Sequence, residues 1–361
     1  GNLYAPCPPL SPAIPTVAKM LRATGYECSY FGKWHLGGNL RDYGFEHGEE
    51  STHDESTRIA ASRRWRDRDW MVNERPFLDI VSFINPHDHY FYDPDLVVDG
   101  FRRPWANCGR SREGLPDCVR GKMVDWPETR WGSYHRWYGE QVERLDRDLS
   151  ELLHQFRTGG FFNSSWIIFT TDHGDMAGEH DLPFKGSYHY EGVQRVPFII
   201  VPPLTRFLGQ DRGNRFGHDI RPHRVDSLCS QIDLVPTLLD LAGAPIPVNL
   251  PGRSLLPWVR GERDDDVHDT VFAEWHTPPA RMVRTRTHKL VTYGKLGREI
   301  YDLAADPHET INRGGPAYAT VAADLEARLA AHIAATRDPF PDLDRHEFIF
   351  DPKANQHGWP W

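Results

Sequence analysis

Residues 167–201 open Ile167-Ile168-Phe169-Thr170-Thr171-Asp172-His173-Gly174-Asp175 and run through Gly178-Glu179-His180 to Lys185. They close on Tyr190-Glu191-Gly192-Val193-Gln194-Arg195-Val196-Pro197-Phe198-Ile199-Ile200-Val201. An apolar run of strand length that stops at adjacent Asp172 and His173 puts both side chains where a buried strand meets a loop, the place where open α/β sheets carry their chemistry. A carboxylate beside an imidazole can bind metal. Ca2+ prefers oxygen ligands whereas Zn2+ or Mn2+ accepts imidazole, so the pair leaves the metal open. The competing reading has Asp172 capping the next turn and His173 merely adjacent. Lys185 carries a compact charge suited to sulfate or phosphate, although an isolated lysine is more often solvated. Metal ligands with a loop lysine point to an anionic substrate. His180 reads as structural.

At the end of this stretch, Val196 to Val201 predicts a neighbouring strand. Upstream, Pro15 to Ala23 places Val17, Met20 and Leu21 on one helical face, with Pro near the start and Gly25 just past the end. Tyr26 to Phe31 predicts a strand that delivers Gly32-Lys33-Trp34-His35-Leu36-Gly37 to its end. In an extended segment residues i and i+2 point the same way, so Lys33 and His35 can address one oxyanion. A surface lysine with a histidine packed by Trp34 is the alternative. Phe77 to Asn85 is the next apolar run and breaks at Pro86-His87-Asp88-His89. Proline fixes the backbone, so His87 projects reproducibly and can donate to a leaving oxygen, while Asp88 and His89 read equally well as loop caps. Tyr134 to Phe156 has the spacing of a long amphipathic helix whose aromatics are core, and Ile232 to Leu241 that of a further helix.

Alternating strands and helices predict an α/β fold with a mostly parallel, doubly wound sheet sandwiched by helices. Beyond the Pro/Gly-rich and acidic stretch from Pro245 to Asp269 come the short runs Val271 to Trp275, Met282 to Arg284, Lys289 to Tyr293 and Glu299 to Leu303. An Ala-rich segment from Pro316 to Thr336 follows. These predict a smaller antiparallel sheet with one covering helix. The expected division is a catalytic domain over 1–262 and a C-terminal subdomain over 263–361, whose tail from Pro339 is a surface strap.

The 361 residues carry a net charge of −9, with no basic face suited to nucleic acid. No apolar run approaches the roughly 20 residues that span a bilayer, and no targeting signal is visible. Cys7, Cys28, Cys108, Cys118 and Cys229 form no Cys-x-x-Cys pair; Cys108 and Cys118 flank a short loop, which leaves a bridge between them open. The insert from Tyr92 to Trp131, with Arg102, Arg103, Trp105, Trp126 and Trp131, can stack a sugar ring or simply pack as a loop. Compartment and oligomeric state stay open.

With these residues in view, the chain resembles the sulfatase family of the alkaline phosphatase superfamily. Pro15-Thr16-Val17-Ala18 through Gly25-Tyr26 into Gly32-Lys33-Trp34-His35-Leu36-Gly37 looks like the family's second signature, and Ser82-Phe83-Ile84-Asn85-Pro86-His87-Asp88 like its middle histidine motif. Thr171-Asp172-His173-Gly174 and Lys185 through Arg195-Val196-Pro197-Phe198 match its metal and lysine region. Met282-Val283-Arg284, Lys289-Leu290 and Ile300-Tyr301-Asp302-Leu303 before Asp306-Pro307 resemble its C-terminal subdomain.

The resemblance implies an alkaline-phosphatase-like fold and hydrolysis of a small-molecule or carbohydrate sulfate ester. It implies that Asp172 and His173 bind one divalent cation, usually calcium in sulfatases. Lys33 and Lys185 would hold the sulfate oxygens, His35 would touch the nucleophile and His87 would assist the departing oxygen. The family's nucleophile is a formylglycine made from Cys or Ser in a Cys/Ser-x-Pro-x-Arg motif. Cys7-Pro8-Pro9-Leu10-Ser11 lacks the arginine, so the formylglycine and the remaining acidic ligands are expected upstream of Gly1, in a longer parent. Two alternatives remain: a phosphodiester or phosphonate monoester hydrolase of the same superfamily, and an inactive anion-binding fragment.

Overall fold

The computed structural model describes residues 9–68, 75–186, 188–204, 220–276 and 279–340. Cys7 and nearly all of the C-terminal tail lie outside them. Thr16 caps helix α1 (Val17–Arg22) by accepting from the Lys19 N–H, and the chain turns into strand β1 (Glu27–Gly32). Strand β1 lies between β2 (His47–Glu50) and β3 (Phe77–Ser82), parallel to both. Helix α2 (Asp54–Arg66) connects β2 to β3. The predicted long helix forms as α4 (Glu128–Thr158), after a single turn α3 (Asp117–Arg120). It leads to β4 (Ile167–Thr170). The predicted neighbour, β5 (Phe198–Val201), pairs with β4 in the antiparallel sense, and the short helix α5 (Glu191–Gln194) lies on the connection between them.

Alternation along β1 and β3 divides the core in two. Cys28, Tyr30, Leu78 and Ile80 face α1 and the helix α6 (Leu234–Leu241), whereas Phe31, Phe77 and Val81 join Ala61, Trp65, Leu152 and Phe156 from α2 and α4. A glycine is required where β1 ends. Gly32 has φ +102°, and a Cβ there would lie 2.0 Å from the Ser82 carbonyl oxygen. That same carbonyl accepts from the Lys33 N–H at 2.9 Å, so the close approach of β1 and β3 sets the position of Lys33.

The predicted C-terminal sheet is an antiparallel meander of β6 (Val271–His276), β7 (Pro279–Arg284), β8 (His288–Thr292) and β9 (Arg298–Asp302). One face packs Met282, Val291, Tyr293 and Tyr301 against Met176, Leu182, Tyr188 and Tyr190. The other packs Val283, Leu290 and Ile300 under the helix Ala319–Thr336. The loop that follows Asp172 and His173 therefore shares one apolar core with the C-terminal sheet. No helix among the described residues is long and apolar enough to cross a membrane.

Cys108 and Cys118 are both free thiols. Much of the insert is packing rather than pocket wall. Trp131 is fully buried with the Arg103 guanidinium 4.6 Å from its ring centroid, Trp126 lies 4.7 Å from Trp131, and Arg103 is paired to Asp181 and Glu128.

Glu27 is buried beside two guanidinium groups, Arg64 at 2.7 Å and Arg68 at 2.9 Å, and the His47 ring at 2.7 Å. Burial alone would raise its pKa, but Arg64, His47 and Arg68 outweigh burial and hold it at about 2. A depressed carboxylate contributes stability above its unfolded pKa and loses it as pH falls. This group should therefore supply about 3 kcal/mol at neutral pH, lost between about pH 4.5 and 2. Urea unfolding across that range is expected to show a shallower acid loss in Glu27→Gln than in the parent; equal slopes would refute the assignment.

Candidate active site

The site assembles where β1, β3 and β4 end. Lys33 Nζ lies 3.7 Å from Asp172 Oδ2, and Lys185 Nζ lies 3.0 Å from His173 Nε2. His173 Nε2 is 3.5 Å from Asp172 Oδ2. These four predicted residues thus form one connected set. Asp172 is half turned to solvent, and its Oδ1 accepts from the His173 N–H at 3.0 Å. The Gln231 side-chain amide donates to the Thr171 carbonyl at 2.5 Å and the Asp172 carbonyl at 3.2 Å, fastening the strand end from below.

Burial would raise the Asp172 pKa, but His173, Lys33 and Lys185 together lower it, so the carboxylate is ionised at neutral pH. His173 is shifted down by burial and then by Lys185, which favours the neutral ring. Its Nδ1 lies 2.8 Å from the Gly174 carbonyl, which takes the ring proton there and leaves the Nε2 lone pair facing Asp172 and the lysine. Burial and Lys33 lower the Lys185 pKa, opposed by Asp172 and Asp175.

His87 begins a turn of 3-10 helix (His87–Phe91) after β3. Burial, followed by the charges of Lys185 and Lys33, pushes it down to about 4. Its Nδ1 is buried with no hydrogen-bond partner. His35, two residues past Lys33, is exposed. His180 is buried with its ring stacked 4.0 Å from Tyr190, as a structural residue would be. His89 caps its turn, with Nδ1 2.7 Å from the Pro86 carbonyl, and does more. It is buried and lies 3.0 Å from the buried carboxylate of Asp175. Sequence reasoning missed this pairing because 86 residues separate the partners; the only signal was that Asp175 stands in the same turn as Asp172.

A carboxylate and an imidazole nitrogen 3.5 Å apart are a donor pair that a divalent cation accepts, while the ammonium groups that face them suit an anion. Two donors fill only part of the coordination shell of six to eight that calcium takes. A second carboxylate and imidazole group, Glu27, Glu46 and His47, is already neutralised by the arginines around Glu27. Burial pushes the thiols of Cys28, Cys108 and Cys118 up to about 12, 11 and 11, the opposite of an activated nucleophile.

An α/β sheet whose strand ends gather a carboxylate, an imidazole and two lysines forms a site suited to a small anion. Residues 2–244 match the family model described as Sulfatase, and residues 178–335 that described as N-sulphoglucosamine sulphohydrolase, C-terminal. The chain belongs to the sulfatase family, and with it to the sulfuric ester hydrolases of the alkaline phosphatase superfamily. It is similar to Delta 4,5-hexuronate-2-O-sulfatase of Bacteroides thetaiotaomicron, 27% identical over 402 residues that cover 96% of this chain and 77% of that protein. A solved 2-O GAG sulfatase matches with a TM-score of 0.74 at 25% identity, covering 92% of this chain and 77% of that one. A phosphonate monoester hydrolase of Agrobacterium radiobacter matches with a TM-score of 0.68 at 18% identity, over 91% of this chain and 81% of that one, a likeness of fold alone.

Proposed function

We propose that the enzyme hydrolyses sulfate monoesters of a carbohydrate, with Asp172 and His173 among the ligands of a divalent cation, calcium in the first instance. The observation that carries this reading is the cluster of Lys33 and Lys185 against Asp172 and His173, which gathers positive charge around one small anion. The cation would add Lewis-acid stabilisation of the charge that develops in sulfuryl transfer. Lys33 and Lys185 hold the non-bridging oxygens, and two ammonium groups fixed in a partly buried cleft need no reorganisation as charge builds. His87 faces the leaving oxygen. A sulfate lying between the lysines opposes the field that holds His87 down, so substrate binding raises its proton affinity when a donor is needed. His35, at the exposed rim, would approach the nucleophile, for which a formylglycine outside the described residues is the proposed identity.

The carbohydrate assignment is supported by the similarity to a hexuronate 2-O-sulfatase, not by the insert aromatics, most of which are packed. The likeness to a phosphonate monoester hydrolase supplies the competing substrate class. Two measurements on the protein from its native source test the reading. A peptide map should contain a formylglycine, and turnover should be faster on sulfated uronic acid and hexosamine sugars than on phenyl phosphonates or phosphodiesters. Faster phosphonate turnover would select the competitor, and no turnover of any ester would leave an anion-binding protein.

A further inference from the structure

The turn that carries His87 is fastened through the residue two places on. His89 Nδ1 is hydrogen-bonded to the Pro86 carbonyl at 2.7 Å, and His89 Nε2 lies 3.0 Å from Asp175 Oδ2, a close contact set off the hydrogen-bonding angle. The other carboxylate oxygen, Asp175 Oδ1, accepts from Tyr134 Oη at 2.7 Å and from the Ala177 N–H at 2.8 Å. Tyr134 Oη in turn accepts from the Phe184 N–H at 3.3 Å, one residue before Lys185. The Tyr90 and Phe184 rings stack 4.5 Å apart, closing the same contact from the other side. Tyr134, His89 and Asp175 are all buried. One carboxylate therefore joins the turn of His87, the loop of Asp172 and His173, and the approach to Lys185. A shift of the Asp175 loop would take Asp175 Oδ1 from Tyr134, and a shift of the His87 turn would draw the His89 ring away from the Asp175 carboxylate, so the buried carboxylate fixes their separations.

We propose that His89, Asp175 and Tyr134 are positioning residues that set the distance from His87 to the sulfate held by Lys33 and Lys185. The proposal rests on the reading of His87 as hydrogen donor to the leaving oxygen. None of the three touches the reacting atoms. Their action is specific to one event: an alcohol or sugar oxygen departs with a donated hydrogen, whereas a nitrophenolate departs without one.

The test compares methyl sulfate or a sugar sulfate with 4-nitrophenyl sulfate on the full-length, metal-loaded enzyme. His87→Ala is expected to slow the alkyl or sugar ester and to spare the nitrophenyl ester. Tyr134→Phe and His89→Ala should reproduce that selectivity, with kcat on the alkyl ester down about 10²-fold and KM little changed. His89→Gln, whose amide reaches towards Asp175 as Nε2 does, should recover part of the loss. Thermal melts accompany each variant; where His89→Ala does not fold, Tyr134→Phe decides, since it removes a single oxygen. Equal losses on both esters, or no loss, with His87→Ala still selective would overturn the junction and leave His87 in place. A His87→Ala variant without selectivity would remove the His87 role and the junction with it.

Discussion

Asp172→Ala is expected to lower kcat/KM for the sulfate ester about 10³-fold, together with a loss of calcium affinity measured by titration calorimetry. The side chain is 64% exposed and its backbone carbonyl is held independently by Gln231, so folding should be preserved. What is lost is the anionic donor that Lys33 and His173 both face. Asp172→Asn keeps an oxygen but no charge, and should fall between alanine and the parent in both readouts. Parental kcat/KM in the alanine variant, at unchanged melting temperature, would remove Asp172 from the metal site. Loss of activity with calcium affinity intact would move its role from ligand to partner of Lys33.

The largest expected loss of stability lies at the join between the catalytic core and the C-terminal sheet. Lys289 is fully buried on β8, with Nζ 2.7 Å from Glu191 Oε1, 2.7 Å from Glu309 Oε1 and 2.8 Å from the His189 carbonyl. Lys289→Met removes the cation and leaves Glu309, itself 3% exposed, as a buried carboxylate with, among the described residues, the Glu191 N–H as its remaining donor. Breaking such a pair costs about 3–5 kcal/mol, because the remaining charge keeps its desolvation penalty without its partner. Glu191 retains Arg284 at 3.1 Å, so the penalty falls mainly on Glu309. The double variant Lys289→Met, Glu309→Gln should therefore recover much of the loss in urea unfolding. A single variant with the parental midpoint would show that the buried cation is dispensable, and a double variant as weak as the single would show that packing rather than charge is at stake.

Much of this architecture is legible in the order of the amino acids. The patterns over 15–23, 26–31, 77–85 and 134–156 mark the elements around the site, because each has an apolar face or run that only one kind of packing buries. The strand β2 and the helix α2 are not legible in that way. The His47-Gly48-Glu49-Glu50 segment is exposed at every position, and it is a strand only because the backbone of β1 offers it hydrogen-bonding partners. Helix α2 is strongly polar, and its few buried residues, among them Ala61 and Trp65, find their partners on α4 and the 161–162 turn.

The candidacy of Lys33, His87, Asp172 and His173 is legible because each follows an apolar run near the place where a strand must end, and that of Lys185 because it is a cation on the loop between two such runs. How they are held depends on contacts that exist only in the folded chain. The pairings of His89 with Asp175, of Tyr134 with the approach to Lys185, and of Lys289 with Glu191 and Glu309 join segments far apart in the chain. Local propensity carries no information about such contacts, because a buried charge declares its partner only when folding has removed the water that would otherwise have solvated it.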